Sequence, residues 1–306
     1  MAPPDPLGRF SELTRQWFAG TFPAPTLAQS EAWSAIADGR HTLVIAPTGS
    51  GKTLAAFLWA IDQLARTEPS RGTKVLYVSP LKALAVDVER NLRTPLTGIA
   101  RVAERLGEQA PAITVGVRSG DTPPKQRREL IARPPDILIT TPESLFLMLT
   151  SSARDTLTSV HTVIVDEVHA VAGTKRGAHL ALSLERLDAL LDTPAQRIGL
   201  SATVRPPEEV ARFLAGSTPA HIVAPPADKT FDLKVQVPVP DMANLADNSI
   251  WPDVDERIVD LIEAHQSSIV VANSLRLAER LTSRVTEIHP DRTGIEGQRC
   301  LDEVDV

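Results

Sequence analysis

A short apolar run, Thr42-Leu43-Val44-Ile45, leads without a break into Ala46-Pro47-Thr48-Gly49-Ser50-Gly51-Lys52-Thr53, which opens in turn into Leu54-Ala55-Ala56-Phe57-Leu58. The order reads as strand, tight loop, helix. Gly49 and Gly51 let the backbone curl without a Cβ clash, so successive N–H groups, from Thr48 through Ser50 to Lys52, can point inward at a polyphosphate. The helix opening at Lys52 adds the positive end of its dipole. Lys52 is then placed to reach the β- and γ-phosphates, and Thr53 to hold Mg²⁺. Ala46 stands where such loops usually begin with glycine.

A loop of this kind requires an acidic partner, and Val163-Ile164-Val165 runs into Asp166-Glu167-Val168-His169. The apolar residues read as a buried parallel strand, so Asp166 and Glu167 emerge at its carboxyl end, where α/β sheets place their ligands. Asp166 can hold the Mg²⁺ shell, and Glu167 can orient and deprotonate an attacking water. A third run, Arg197-Ile198-Gly199-Leu200, ends in Ser201-Ala202-Thr203. Hydroxyls at a loop are by themselves ordinary caps or turns.

Taken in this order, the phosphate loop, Asp-Glu-Val-His and Ser-Ala-Thr resemble the superfamily 2 helicases, the group that includes the DEAD and DExH box proteins. Phe22-Pro23-Ala24-Pro25-Thr26-Leu27-Ala28-Gln29 is similar to that family's Q motif, and the match implies that Gln29 reads the adenine edge of ATP. It also implies that His169, Ser201 and Thr203 couple the nucleotide to the rest of the machine. Ser79-Pro80-Leu81-Lys82-Ala83-Leu84, Gly120-Asp121 and Thr141-Pro142-Glu143-Ser144-Leu145 are similar to three further motifs that touch the nucleic-acid backbone. By that match Pro80, Lys82, Gly120, Thr141, Pro142 and Glu143 are the nucleic-acid residues, although each segment alone could be an ordinary helix start. Within the superfamily, Gln29 to Trp33, residues 46–58 and 79–84, the acidic motif and Ile269-Val270-Val271-Ala272-Asn273-Ser274 resemble the large helicase-related proteins of bacteria and archaea, a group associated with DNA repair. The likeness runs from about Phe10 to Arg284. It implies ATP and Mg²⁺ as cofactors and translocation 3′ to 5′ on a single strand.

The fold class implied is α/β: a RecA-like phosphate-loop domain, with a parallel sheet and helices on both faces, followed by a partial second RecA-like domain. Apolar runs at 42–46, 74–79, 113–117, 136–140, 162–165 and 197–200 are each followed by a helical pattern, which demands parallel strands joined by crossovers. The expected organisation is a helical lead-in over residues 1–22, the ATP-binding domain over 23–218 and a proline-rich connector over 219–252. The opening of the second domain follows over 253–288, with a strand at 268–272, and then an atypical tail over 289–306. Short β-like runs at 221–223 and 233–237 lie in the connector.

With a net charge of −6 the chain is not one that coats nucleic acid by bulk electrostatics, so single-stranded DNA or RNA, or a duplex junction, must be held in a local groove. The basic runs Lys125-Gln126-Arg127-Arg128 and Lys175-Arg176-Gly177 could line one, or could be solvated faces. One cysteine, Cys300, excludes an internal disulfide and a Cys-ligated metal site, which fits a reducing cytoplasm, at or near the nucleoid. No apolar stretch reaches membrane-spanning length and the N-terminus lacks the pattern of a signal peptide.

The late motifs of the resembled family, one Thr-Asp-type and one Gln-x-x-Gly-Arg-x-Gly-Arg-type, have no counterpart in the sequence. In the family the second supplies the arginine finger, typically worth about 10³ to 10⁵ in rate. Two readings stay open: an ATP-dependent helicase of the large helicase-related type, or a truncated ATP- and nucleic-acid-binding module without productive unwinding. In the second case a separate chain could supply the rest of the second domain. An unrelated phosphate-loop enzyme explains neither Gln29 nor Ser201-Ala202-Thr203.

Overall fold

The computed structural model describes residues 5–202, 204–226, 232–239 and 249–288, with the backbone alone at 82–86. Thr203 and the expected tail at 289–306 lie outside the described residues.

The apolar runs become strands because each is buried on both sides, the condition under which parallel strands read as continuous hydrophobic stretches. The chain begins with α1 (Glu12–Thr21) and α2 (Leu27–Ala37), then β1 (His41–Ile45), α3 (Lys52–Arg66), β2 (Val75–Val78), α4 (Lys82–Leu106), β3 (Val115–Arg118) and α5 (Pro124–Ala132). It continues through β4 (Ile137–Thr140), α6 (Pro142–Leu149), a 3₁₀ turn at Ser152–Leu157, β5 (Thr162–Val165), α7 (Val168–Val171), α8 (Lys175–Asp188), β6 (Gln196–Ser201), α9 (Pro207–Ala215) and β7 (Ala220–Val223). The seven strands form one parallel sheet in the order β3-β4-β2-β5-β6-β1-β7. All six expected strands are present, each with its ends within about two residues of the reading.

Strand alternation divides the core into two layers. Val75, Tyr77, Ile137 and Ile139 face one side, where they meet Phe57, Ile61 and Ile99 of α3 and α4. Leu76, Val78, Leu138 and Val165 face the other, against Leu145, Leu184 and Leu214 of α6, α8 and α9. The N-terminal lead-in is part of the first layer: Phe18 and Trp33 pack edge to face at 5.5 Å, and Trp17 lies so close to Gly98 that a Cβ there would stand 2.1 Å from the indole nitrogen. Ser11 caps α1 and also donates through its N–H (3.0 Å) and hydroxyl (2.5 Å) to Asp62 of α3, a fully buried carboxylate that pairs with Arg66 at 2.6 Å. α4 is closed by Gly107 in the left-handed region, φ +73°, with its N–H on the carbonyls of Ala103 and Glu104.

The described chain divides into two compact units between residues 228 and 229. β7 belongs to the first unit, because Ala220 to Val223 pair in register with His41 to Val44 of β1. Residues 220–223, read from the sequence as connector, are thus a strand of the first unit's sheet. In the second unit α10 (Trp251–Glu263) packs on α11 (Leu275–Ile288), with Arg284 on Asp255 at 2.7 Å and Arg280 stacked over Trp251 at 4.5 Å. The strand expected at 268–272 is not formed, nor is a strand at 233–237. Ile269, Val271, Leu233 and Val235 are largely exposed. β-branched composition makes a segment suitable for a sheet but supplies no neighbour to pair with, and here no strand of the second unit is among the described residues.

Candidate nucleotide-binding site

Three strand tips meet at the carboxyl edge of the first sheet. β6 lies between β5 and β1, so the Ser201 tip is flanked by the acidic motif on one side and the glycine loop on the other. The loop is tied to this neighbour directly, since Ala46 donates its N–H to the Ser201 carbonyl at 3.2 Å. Ala46 is buried and is not among the residues with a positive φ, so its backbone does not require glycine at the start of the loop.

Gly49 and Gly51 have φ +82° and +79°, a region that other residues reach only with strain. They turn the chain sharply between β1 and α3, leaving Thr48 and Gly49 exposed. Lys52, the first residue of α3, folds back across the loop and donates to the carbonyls of Ala46 (2.5 Å) and Pro47 (3.0 Å). Burial pulls its ammonium below the ordinary lysine value, against the opposing pull of Glu167 and Asp166. The positive charge is thus spanned by the loop and faced by both carboxylates. Thr53 follows, half-buried, on the first turn of α3. Ser50 carries a buried hydroxyl oxygen with no hydrogen-bond partner, an unmet polar group inside the loop.

Asp166 leaves β5 buried, its N–H on the Val78 carbonyl at 2.9 Å. One carboxylate oxygen accepts the Glu167 N–H at 2.9 Å and the other accepts the hydroxyl of Tyr77. Burial, and then the charge of Asp166, push the Tyr77 phenol far above its ordinary pKa, so it stays a donor. Glu167 adopts φ +44°, and among the described residues it is the one non-glycine residue with a positive φ. That turn swings its side chain to a partly exposed position beside His169, with Nδ1 and Oε2 3.3 Å apart. The same imidazole nitrogen lies 3.3 Å from the Ser201 hydroxyl and 3.3 Å from the Ala202 N–H. A bare Nδ1 accepts from the Ala202 N–H and joins the acidic motif to the β6 tip, whereas an Nδ1 that carries its proton donates to Glu167 and gives up the Ala202 contact.

Gln29 sits behind the loop in α2. Its side-chain oxygen accepts the Thr26 N–H (3.0 Å) while Thr26 Oγ1 accepts the Gln29 N–H (3.2 Å), a reciprocal capping box. Its amide nitrogen donates to the Gly51 carbonyl at 3.4 Å, and the Thr26 hydroxyl donates to the Ser50 carbonyl at 3.0 Å. Both ends of the Gln29 amide are thus engaged with the loop and the helix cap. Sequence reading placed Thr26 in the Q-like run without giving it a role, which the Thr-x-x-Gln spacing signals, and passed over Tyr77, since a tyrosine in an apolar strand looks like any core aromatic.

The six residues expected at nucleic acid lie along the same edge but differ in kind. Pro80, Thr141 and Pro142 are buried and act in the framework: Thr141 caps α6, and Pro142 is its first residue. Lys82 is the first residue of α4. Gly120 is exposed, with its carbonyl accepting from Arg127 at 2.6 Å, so one residue of the basic run braces this turn. Glu143 is exposed and held by Arg176 through two bonds, 2.5 and 3.0 Å, which also keep its carboxyl below the usual range.

Asp166 and Thr53 offer hard oxygen donors, and no cluster of three or more metal-ligating side chains exists among the described residues. This set suits Mg²⁺, which takes one or two protein oxygens and completes its shell with phosphate and water. Fold and site together define a RecA-like phosphate-loop domain. The chain belongs to the DEAD/DEAH box helicase family, whose model matches residues 26–212. It is 81% identical over 294 residues to the Lhr helicase/probable uracil glycosylase of Mycolicibacterium smegmatis, covering 95% of this chain and 20% of that protein. It is 52% identical over 305 residues to the Lhr helicase/uracil glycosylase of Escherichia coli, covering 92% of this chain and again 20% of the relative. Among solved structures, M. smegmatis helicase Lhr bound to ssDNA and AMP-PNP superimposes with a TM-score of 0.82 at 81% identity, over 95% of this chain and 37% of that one. The chain thus spans about one fifth of the length of these relatives. In each of them the matching stretch is part of one longer polypeptide, which lends no support to a separate chain completing the second domain.

Proposed function

We propose that this chain is the nucleotide-binding portion of an ATP-dependent helicase of the Lhr type. The observation that carries the reading is the meeting of Lys52, Asp166, Glu167 and the His169–Ser201 contact at one sheet edge, on three neighbouring strand tips. Lys52 exchanges its two loop carbonyls for the β- and γ-phosphates, and the N–H groups of residues 48–52 cradle them. Thr53 and Asp166 hold Mg²⁺, which supplies charge neutralisation on the phosphates when bound. Glu167 accepts the proton of the attacking water. Gln29 reads adenine by giving up one of its present hydrogen bonds, which ties base recognition to the loop conformation.

Nucleic acid is held on the same edge. The amino ends of α4 and α6, at Lys82 and Thr141-Pro142, offer backbone N–H groups and dipole to phosphates, while Gly120 and Glu143 frame the path. The ssDNA of the M. smegmatis structure supports single-stranded DNA as the strand bound here. The role proposed for the chain is cytoplasmic and related to DNA repair. His169, Ser201 and Thr203 couple the two sites. A narrower reading holds for these 306 residues alone, namely binding without unwinding. It is favoured by the exposed run Ile269-Val270-Val271, which has the composition of a second-domain strand but no pairing. Steady-state ATP hydrolysis with and without single-stranded DNA tests both. Stimulation by the strand supports coupling within this chain, and nucleotide binding with no stimulated turnover leaves the narrower reading.

A further inference from the structure

Tyr77 is the only tyrosine of the chain, and nothing in its sequence setting marks it as more than a core residue. Its register says otherwise. β2 and β5 are neighbours with Tyr77 opposite Ile164, so Asp166, two residues on, lies on the same face as the tyrosine and one step beyond it toward the sheet edge. The ring spans that step and its hydroxyl donates to Asp166 Oδ2. The ring is fully buried and stacks on Phe57 of α3, with centroids 5.0 Å apart and planes at 28°. It has no room to swing away. α3 is also the helix whose first turn carries Lys52 and Thr53.

We propose that Tyr77 is a positioning residue for the metal-binding carboxylate: it locks the plane of Asp166 and ties that plane, through Phe57, to the helix that carries the metal-binding hydroxyl of Thr53. The inference rests on the assignment of Asp166 to the Mg²⁺ site. With Oδ1 on the Glu167 N–H and Oδ2 on the phenol, rotation of the carboxylate breaks both bonds, so its remaining lone pairs keep one direction toward the ligand. A hydrogen bond behind a metal ligand of this kind is worth roughly ten- to hundredfold in metal affinity or activity.

Because there is one tyrosine, biosynthetic labelling of the wild-type chain with 3-fluorotyrosine gives one ¹⁹F resonance that reports on the contact. It should move when Mg²⁺ is added to the AMP-PNP-bound chain and stay still when nucleotide is added with EDTA. A resonance indifferent to Mg²⁺ overturns the proposal without any substitution being needed. In parallel, Tyr77→Phe should raise the Mg²⁺ concentration for half-maximal binding of a fluorescent ATP analogue by about tenfold or more, with Mn²⁺ restoring part of the loss. A purely packing role would lower the melting temperature and leave the Mg²⁺ requirement where it was. Asp166→Asn separates the two layers of the argument. If it too leaves the Mg²⁺ requirement unchanged, the site assignment itself falls; if it raises the requirement while Tyr77→Phe does not, only the role of Tyr77 falls.

Discussion

The side-chain nitrogen of Gln29 lies 3.4 Å from the carbonyl oxygen of Gly51, and a Cβ built on Gly51 would stand 2.4 Å from that same nitrogen. The glycine therefore serves two ends. It permits φ +79° at the last loop residue and leaves room for the amide that would read the base.

Gly51→Ala meets both penalties at once. The left-handed backbone costs about 1–2 kcal/mol for a residue with a Cβ, and the methyl must also displace Gln29. Thermal unfolding should show a lower melting temperature, and ATP affinity should fall together with it. Gln29→Ala should instead keep glycine at φ +79°, lose the contacts of the amide to the Gly51 carbonyl and the Thr26 N–H, and reduce discrimination between ATP and other nucleoside triphosphates. Competition titrations with GTP and CTP check this.

Glu167 is held at φ +44° beside His169, and its replacement by glutamine keeps the shape while removing the basic carboxylate. Glu167→Gln is expected to retain nucleotide binding and lose hydrolysis. Asp166→Asn is expected to demand more Mg²⁺ for the same binding. Single-turnover hydrolysis and Mg²⁺ titrations distinguish them, and a Glu167→Gln chain that turns over at the wild-type rate would show that another group takes the proton.

Much of this site was legible because the chemistry lies in contiguous motifs: Lys52 follows its two glycines, and Asp166-Glu167 follows an apolar strand. That the three tips share one sheet edge follows from strands that run parallel, whereas the order that makes them neighbours does not. What the sequence could not show depends on long-range packing. Tyr77 meets Asp166 across 89 residues, and Arg176 reaches Glu143 across 33. The buried state of Pro80 and Thr141 depends on layers stacked over them. In the second unit the residues at 268–272 have strand composition but no neighbour, so local pattern and outcome part company there.

Two histidines contribute to the response to acid. Burial depresses the pKa of His161, with a smaller push from Lys74, and burial depresses that of His41, with a smaller push from Arg197. His41 accepts the Arg197 N–H through Nδ1 at 2.9 Å, which requires the neutral ring. Both are neutral when folded over a range where the unfolded chain binds protons. Stability is therefore fully present above the ordinary imidazole range and declines as pH falls through it toward the lowered folded values. Melting temperatures measured downward from neutral pH should fall, and the slope should be shallower in His161→Gln.

Lys52 carries the central claim, since its ammonium already bridges the carbonyls of Ala46 and Pro47 at the place where a polyphosphate would lie. The decisive measurement is a titration of ATP, with Mg²⁺, against the wild-type chain and Lys52→Ala. Losing a charge-assisted contact of about 2 kcal/mol should weaken Kd roughly thirtyfold or more, while the melting temperature without nucleotide changes little. Equal ATP affinity in the two chains would contradict the account.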